Sequence, residues 1–159
     1  MQMRPIQPND NPALQSIIET VMPEFGANGP GFAIEDPEVK DMFSFYSQPG
    51  RFYWVIEDEG QLVAGAGISA LNGSSVLICE LQKMYMLKMA RGRGLGQQLL
   101  DLCLQGAKEL GYESCYIETL DIMQAARKLY ERNGFTKRKG PLGNTGHFGC
   151  NCFYEKSLL

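Results

Sequence analysis

The chain has 159 residues, a hydrophobic fraction of 44% and a formal net charge of −3. This length suits a single domain over residues 1–159, which can bury roughly two thirds of its unfolded surface. The negative charge argues against a general nucleic-acid binder, and we find no membrane-spanning run or signal-peptide pattern. Five cysteines without Cys-x-x-Cys spacing indicate reduced, packed thiols. We therefore expect a cytoplasmic protein.

The first fifty residues are predicted to form an edge strand and two helices with a loop between them. A proline in the strand excludes a central position in a sheet. Both helices begin with an N-cap residue followed by proline, and the loop is rich in glycine and proline. The elements are a strand over 1–6, a helix from Asn11 to Pro23, a loop over 24–35 with Phe25 and Phe32, and a helix from Asp36 that ends before Gln48.

The middle of the chain is predicted to be an antiparallel meander followed by a long helix. Asp58-Glu59-Gly60 and Asn72-Gly73-Ser74 supply turns between segments rich in strand-forming residues. In the helix, apolar residues recur at three- and four-residue spacing, so that face packs against a sheet. The strands are expected over 51–57, 61–71 and 76–86, and the helix from Leu95 to Leu110, with Gly111 as its C-terminal cap.

The last third adds a strand that we expect to lie parallel to the third meander strand, because a helical crossover connects the two. We expect strands over 114–118, from Phe135 and over 150–155, a helix from Asp121 to about Arg132, and a loop over 140–149. The predicted fold class is α/β of the α+β type. Its sheet is mainly antiparallel with a parallel pair at the centre, flanked by about four helices.

A glycine-rich turn, Arg91-Gly92-Arg93-Gly94-Leu95-Gly96, joins the third meander strand to the long helix. Glycines let the backbone approach a ligand closely, and a helix N-terminus with unpaired N–H groups attracts phosphate. Arg91 and Arg93 add cations for phosphate oxygens. The spacing fits neither the Rossmann fingerprint nor the Walker A loop. We predict a phosphate-bearing ligand here; the alternative is a turn that needs glycine for its geometry alone.

Two sequence blocks resemble the GNAT superfamily of N-acetyltransferases. Arg91-x-x-Gly94-x-Gly96 after an apolar strand is similar to the family's Arg/Gln-x-x-Gly-x-Gly/Ala motif. Ala126-x-x-Leu129-Tyr130-x-x-x-Gly134-Phe135 is similar to its Ala-x-x-Leu-Tyr-x-x-x-Gly-Phe segment. The order and separation of the blocks also match, and the resemblance covers the whole chain. It implies acetyl-CoA as the acyl donor, no metal, and acetyl transfer to an amine.

The resemblance also implies where coenzyme A lies. Its pantetheine arm would pair with the backbone of Met84 to Met86, in a cleft beside the strand at Ser114; a continuous sheet is the alternative. Many family members have asparagine where this chain has Met123, so one contact is lost. The expected cofactor-binding residues are Met84, Tyr85, Met86, Arg91, Gly92, Arg93, Gly94, Leu95, Gly96, Gln97 and Met123. The basic cluster Arg132, Lys137, Arg138 and Lys139 is expected to be a solvated face that helps to hold the adenosine 3′-phosphate.

Acetyl transfer to an amine requires a base, because only the neutral amine attacks. Glu80 lies eleven residues before Arg91, a spacing at which some family members place a catalytic glutamate, and an apolar strand would raise its pKa. Glu118, at the end of the parallel strand, is the rival base. Tyr130 matches the family's tyrosine that protonates the departing thiolate. The alternatives are a solvated Glu80, a solvated or helix-capping Glu118, and a tyrosine that only packs in the core.

Phe25, Phe32 and the loop that carries His147 are expected to shape the acceptor pocket. These segments have no dense charge signature, which favours a small amine or amino acid over a basic protein tail. We predict direct attack in a ternary complex, with no nucleic-acid or membrane partner; a homodimer stays open. The alternatives are a non-catalytic acyl-CoA sensor or assembly module, acetylation of a protein or peptide amine, and a thiol hydrolase that pairs His147 with Cys150 or Cys152.

Overall fold

A computed structural model describes residues 1–159 and contains one seven-stranded sheet with helices on both faces. The strands are β1 (Gln2–Pro5), β2 (Phe52–Asp58), β3 (Gln61–Ala70), β4 (Ile78–Met86), β5 (Ser114–Thr119), β6 (Thr136–Arg138) and β7 (Cys152–Ser157). The helices are α1 (Asn11–Glu24), α2 (Met42–Tyr46), α3 (Leu95–Glu109) and α4 (Gln124–Arg132). None of them combines the length and the apolar character needed to cross a membrane.

The strand order across the sheet is β1-β2-β3-β4-β5-β7-β6. Every neighbouring pair is antiparallel except β4 and β5. The predicted fold class is therefore confirmed. The proline-containing strand β1 also lies at an edge, where the missing N–H of Pro5 leaves no bond unmade inside the sheet.

Two apolar clusters, one on each face of the sheet, form the core. Neighbouring residues of β2 belong to different clusters: Val55 packs with α1, and Ile56 packs with α3. This is the alternation that a strand imposes on successive side chains. Both helices direct their predicted apolar faces inward, as shown by the fully buried Leu14 of α1 and Leu99 of α3. Helices α1 and α3 therefore pack against opposite faces of the sheet.

The parallel pairing of β4 with β5 is short. It consists of Ile78 with Ser114, Cys79 with Cys115, and Glu80 with Tyr116. Beyond Glu80, β4 continues to Met86 and β5 continues to Thr119, but the two strands no longer pair with each other. The two strands separate there, so the predicted cleft is present and the pairing of β4 with β5 stops part-way along the strands.

Several predicted boundaries are wrong for local reasons. The second predicted helix is interrupted at Asp41. A 3-10 turn over Pro37–Lys40 comes before Asp41, and α2 comes after it. The Asp41 carboxylate caps α2 by accepting a hydrogen bond from the backbone N–H of Ser44 at 3.2 Å. Helix α4 begins three residues after Asp121, whose N–H instead donates to Asn151 Oδ1 at 2.9 Å. Pro23 lies inside α1, which ends one residue later. The final strand begins two residues later than predicted.

Candidate active site

A bulge interrupts β4 just after its last pair with β5. Gly67 of β3 pairs with Gln82 and Gly65 pairs with Tyr85, so Lys83 and Met84 together oppose a single residue. Lys83 has φ +49°, and its carbonyl accepts a hydrogen bond from the Tyr53 hydroxyl at 2.6 Å. A bulge bends the strand that it interrupts and re-aims its side chains. Strand β4 therefore changes course where the cleft opens.

A surface groove of about 370 Å³ follows the cleft to the N-terminus of α3. Its walls are the end of β4, the glycine-rich turn, the first turn of α3 and helix α4. The lining includes Met84, Tyr85, Met86, Arg91, Gly92, Gly94, Leu95, Gly96, Gln97 and Met123, together with Phe25, Tyr130 and Arg132. The structure thus brings together every residue expected to bind the cofactor except Arg93.

The glycine-rich turn presents a row of free backbone donors. None of the N–H groups from Gly92 to Gln97 has a hydrogen-bond partner in the chain. Gly94, the N-cap of α3, has φ +74°, and Gly92 has φ +72°. A Cβ at either position would meet no atom within 4 Å, so glycine is needed here for backbone conformation and access, and not for packing. This arrangement suits a phosphate group.

The two arginines of the turn are already paired. Arg91 donates from Nε to the carbonyl of Met86 at 3.0 Å and from Nη1 to Glu24 at 2.9 Å, which ties the turn to β4. Arg93 forms an ion pair with Asp58 at 2.8 Å, away from the groove. Arg132 is the one member of the basic cluster that lines the groove. Arg91 and Arg132 therefore line the groove, and Arg93 does not.

A smaller cavity of about 70 Å³ continues from the groove into the cleft. Four residues line both spaces: Met84, Tyr85, Met123 and Tyr130. The ionisable side chains that line the inner cavity, apart from the tyrosines, are Glu80, Lys83, Glu118, His147 and Cys150. They lie among apolar side chains that include Met22, Phe32, Ile117 and Leu120. Phe32 and His147 line this cavity as expected for an acceptor pocket, whereas Phe25 lines the outer groove.

Glu80 is buried, with 4% of its surface exposed. Burial raises the pKa of its carboxyl to about 7, even though a hydrogen bond from Gln82 Nε2 to Glu80 Oε1 at 2.6 Å favours the ionised form. The Gln82 amide is oriented in turn by the Tyr46 hydroxyl, which donates to Gln82 Oε1 at 2.8 Å. Glu80 thus has the protonation equilibrium of a base that works near neutral pH.

Glu118 is held as a carboxylate. It accepts hydrogen bonds from the Tyr116 hydroxyl at 2.7 Å and the Thr145 hydroxyl at 2.6 Å, and Nδ1 of His147 lies 3.5 Å away. Burial acts to raise the pKa of Glu118, but these donors together hold that pKa below its usual range. A carboxylate stabilised in this way is a weak proton acceptor.

His147 lies between two carboxylates. Its Nε2 is 2.9 Å and 3.0 Å from the two oxygens of Asp36, and its Nδ1 faces Glu118. Although burial opposes it, the hydrogen bonds with Asp36 and Glu118 raise the pKa of His147 to about 10. The imidazole is therefore positively charged at neutral pH, and it ties the late loop to the segment at Asp36.

Asp36 also binds Lys83. The Lys83 ammonium lies 2.8 Å from Asp36 and 2.9 Å from Glu38, and its side chain is only 1% exposed. In the sequence Asp36 resembles a helix N-cap, but its side chain makes no capping hydrogen bond. The local pattern therefore gave no indication of the ion pair with Lys83. The sequence signal for the ion pair was a lysine in the middle of a predicted strand, because a buried lysine needs a partner.

Tyr130 is 5% exposed and packs against Phe135 and Tyr154, with ring centroids 5.9 Å apart in each case. Its hydroxyl makes no hydrogen bond with the chain. The hydroxyl oxygen is not fully buried, because the one fully buried side-chain polar atom without a partner is Nε of Arg138. Burial raises the pKa of this phenol above its usual value. Tyr130 is therefore a protonated donor whose hydroxyl is free at the junction of groove and cavity.

Two other chemistries fit the cavity poorly. Ligand atoms of Glu80, Glu118 and His147 lie within 4.8 Å of one another, but a histidine ligand must be neutral and the ion pairs of His147 keep it protonated. Cys150 meets His147 only through a backbone hydrogen bond, and burial raises the pKa of its thiol to about 12. Cys152 is fully buried. The Cys–His pair of a hydrolase is not formed.

Comparisons with known proteins agree with this site. The model of the acetyltransferase (GNAT) family matches residues 14–135. The chain belongs to this family. As a GNAT acetyltransferase it is an acyltransferase that acts as an N-acetyltransferase, and it is 43% identical over 149 residues to the uncharacterized N-acetyltransferase YjgM of Escherichia coli K12, covering 93% of this chain and 89% of that protein.

Solved structures support the same fold. A GNAT-family acetyltransferase from Staphylococcus aureus Mu50 superposes with a TM-score of 0.84 at 23% identity, over 99% of both chains. The acetyltransferase yncA from Salmonella typhimurium, solved with acetyl-CoA, gives a TM-score of 0.78 at 17% identity over 99% of this chain and 94% of the other. At these identities the likeness shows the architecture alone.

Proposed function

We propose that this N-acetyltransferase moves the acetyl group of acetyl-CoA directly to the amine of a small molecule within a ternary complex. The observation that carries the proposal is the continuity of the two spaces. The groove with its phosphate-binding turn meets the inner cavity at Tyr85 and Tyr130. A thioester at this junction would have the acceptor on one side and coenzyme A on the other.

Glu80 in the inner cavity and Tyr130 at the junction supply the two proton transfers. The neutral amine attacks the thioester carbonyl, an N–C bond forms and the C–S bond breaks. Glu80 accepts the ammonium proton, directly or through water, and Tyr130 donates a proton to the departing thiolate. The buried Glu80 carboxyl, with a pKa of about 7, suits the first role better than Glu118, whose three donors stabilise its charge.

Two features favour a small acceptor over a protein. The inner cavity is only about 70 Å³, and it is covered by the loops that carry Phe32 and His147. The backbone N–H of Gly149 donates to the carbonyl of Gly31 at 3.0 Å, which joins these two loops. A protein terminus would need both loops to part, whereas a small amine needs only the cavity.

The test is free-thiol release from acetyl-CoA with a panel of amines, followed by mass spectrometry of the products. We expect thiol release only with an acceptor, together with the N-acetylated amine. Incubation with acetyl-CoA alone should leave the intact protein mass unchanged, and Cys150→Ala should retain turnover. Acetylated enzyme formed without acceptor would contradict direct attack, and absence of release with every amine would favour a non-catalytic module.

A further inference from the structure

We propose that the acceptor is a small, mainly aliphatic amine with no carboxylate next to the amino group, and that Asp36 and Glu38 enforce this choice. The inference rests on the proposed function and names the substrate class of the same cavity. It excludes free α-amino acids as good acceptors. The argument comes from the charges of the cavity and from which of them are already paired.

An amino acid substrate needs a cation for its carboxylate, and only two cationic groups line the inner cavity. Lys83 already has two carboxylate partners, at 2.8 Å and 2.9 Å. His147 lies 2.9 Å from Asp36 and 3.5 Å from Glu118. Each cation therefore contacts two carboxylates, with Asp36 shared between them, so that three carboxylates surround the two cations and neither cation is free to bind another.

The carboxylates outnumber the cations around this cavity. Glu80 and Glu118 line it directly, while Asp36 and Glu38 lie behind the two cations. A substrate carboxylate would lose its water without gaining a partner, and it would face like charges in a poorly solvated space. An ammonium group that enters the cavity is instead attracted. The excess negative charge concentrates cationic amines and repels zwitterions.

The rest of the lining sets the character of the remaining substituent. Met22, Phe32, Ile117 and Leu120 surround the polar groups. A hydrocarbon chain gains free energy by contact with such side chains, roughly in proportion to the apolar surface that it buries. A short unbranched alkyl amine thus satisfies both the charge and the apolar surface of the cavity.

Three acceptors that share the same four-carbon amine chain test this inference: butylamine, norvaline and norvalinamide. Norvaline is butylamine with an added carboxylate, and the amide keeps the branch point without the charge. We expect kcat/KM, expressed per free-base amine, to be at least tenfold higher for butylamine than for norvaline. The kcat/KM of norvalinamide should lie nearer to that of butylamine, because the cavity excludes the carboxylate charge and not the branch point.

The possible results separate the two proposals. Turnover of norvaline equal to or above that of butylamine would overturn the acceptor class and leave acetyl transfer intact, whereas no thiol release with any amine would overturn the proposed function itself.

In Asp36→Asn both cations lose one carboxylate, so the preference for butylamine over norvaline should narrow at least threefold. Glu109→Gln, at the exposed C-terminal end of α3, is the matched control and should keep the preference.

Discussion

The side-chain amide of Gln82 donates to Glu80 Oε1 at 2.6 Å, and the Tyr46 hydroxyl fixes that amide by donating to its oxygen at 2.8 Å. The Tyr46 hydrogen bond determines which end of the amide faces the carboxylate, because an amide whose oxygen accepts from tyrosine must present its nitrogen elsewhere. The proposed base is therefore positioned by a short chain of two neutral side chains.

Glu80→Gln should lower kcat/KM for an amine acceptor by about a hundredfold or more, in the range usual for a lost general base. The wild-type rate should rise with pH through about 7 as the Glu80 carboxyl loses its proton. In the variant this limb should disappear, and part of the activity should return near the pKa of the amine itself. Glu118→Gln is the comparison. Loss of the limb in Glu118→Gln and its retention in Glu80→Gln would assign the base to Glu118.

Gln82→Leu removes the hydrogen bond that favours the ionised form of Glu80. The pKa of the base should therefore rise, and the acidic limb of the kcat/KM profile should move upward by about one pH unit. Tyr46→Phe keeps the amide and removes only its anchor, so its shift should be smaller and in the same direction. A limb that stays at its wild-type position in Gln82→Leu would show that Gln82 does not tune the base.

Tyr130→Phe should lower kcat by about a hundredfold with little change in thermal stability, since the hydroxyl makes no hydrogen bond that the folded chain would lose. Acetyl-CoA affinity should also change little. Tyr154→Phe is the converse control. Its hydroxyl donates to Glu131 at 2.7 Å and accepts from Arg127 at 3.1 Å, so the variant should lose stability and keep its turnover. Full activity in Tyr130→Phe, when thiol departure limits the rate, would remove the acid role.

Gly94→Asp should weaken acetyl-CoA binding by more than tenfold, that is by more than about 1.4 kcal/mol. Aspartate is acceptable at a helix N-cap and tolerates positive φ better than most residues, so the fold should survive. Gly94→Asn has nearly the same shape without the charge and should lose less affinity. Calorimetric titration would measure both, and equal affinity for wild type and Gly94→Asp would exclude phosphate binding at the turn.

Glu80→Gln should also stabilise the protein at alkaline pH. The pKa of Glu80 is raised from 4.5 to about 7 in the folded chain, so folding disfavours the ionised form. Stability from this group is fully present below pH 4.5 and is lost as the pH rises through 7, by up to about 3 kcal/mol. At pH 8 the variant should gain up to that amount in the free energy of unfolding, and near pH 4.5 nothing. Chemical denaturation at the two pH values is the measurement.

Sequence patterns predicted the fold and the groove because both depend on local signals. Periodic apolar residues specified α3, and the glycines at 92, 94 and 96 specified the turn before it. The acceptor cavity was less predictable, since its partners are distant in sequence and carry misleading local signals. Asp36 matched a helix cap but binds Lys83 and His147, and Arg93 matched a phosphate ligand but pairs with Asp58. Only packing in three dimensions selects among such polar partners.

The contact between Asp36 and His147 spans 111 residues of sequence. The parts of the groove that hold the glycine-rich turn are, in contrast, nearly contiguous in the chain, from Met84 to Gln97. Strand β7, which follows His147, also inserts between β5 and β6. The glycine-rich turn is therefore built from one continuous stretch of sequence, whereas the inner cavity depends on a contact between two segments that are distant in the chain. A change that loosens the contact between Asp36 and His147 should disturb the cavity and leave the turn intact.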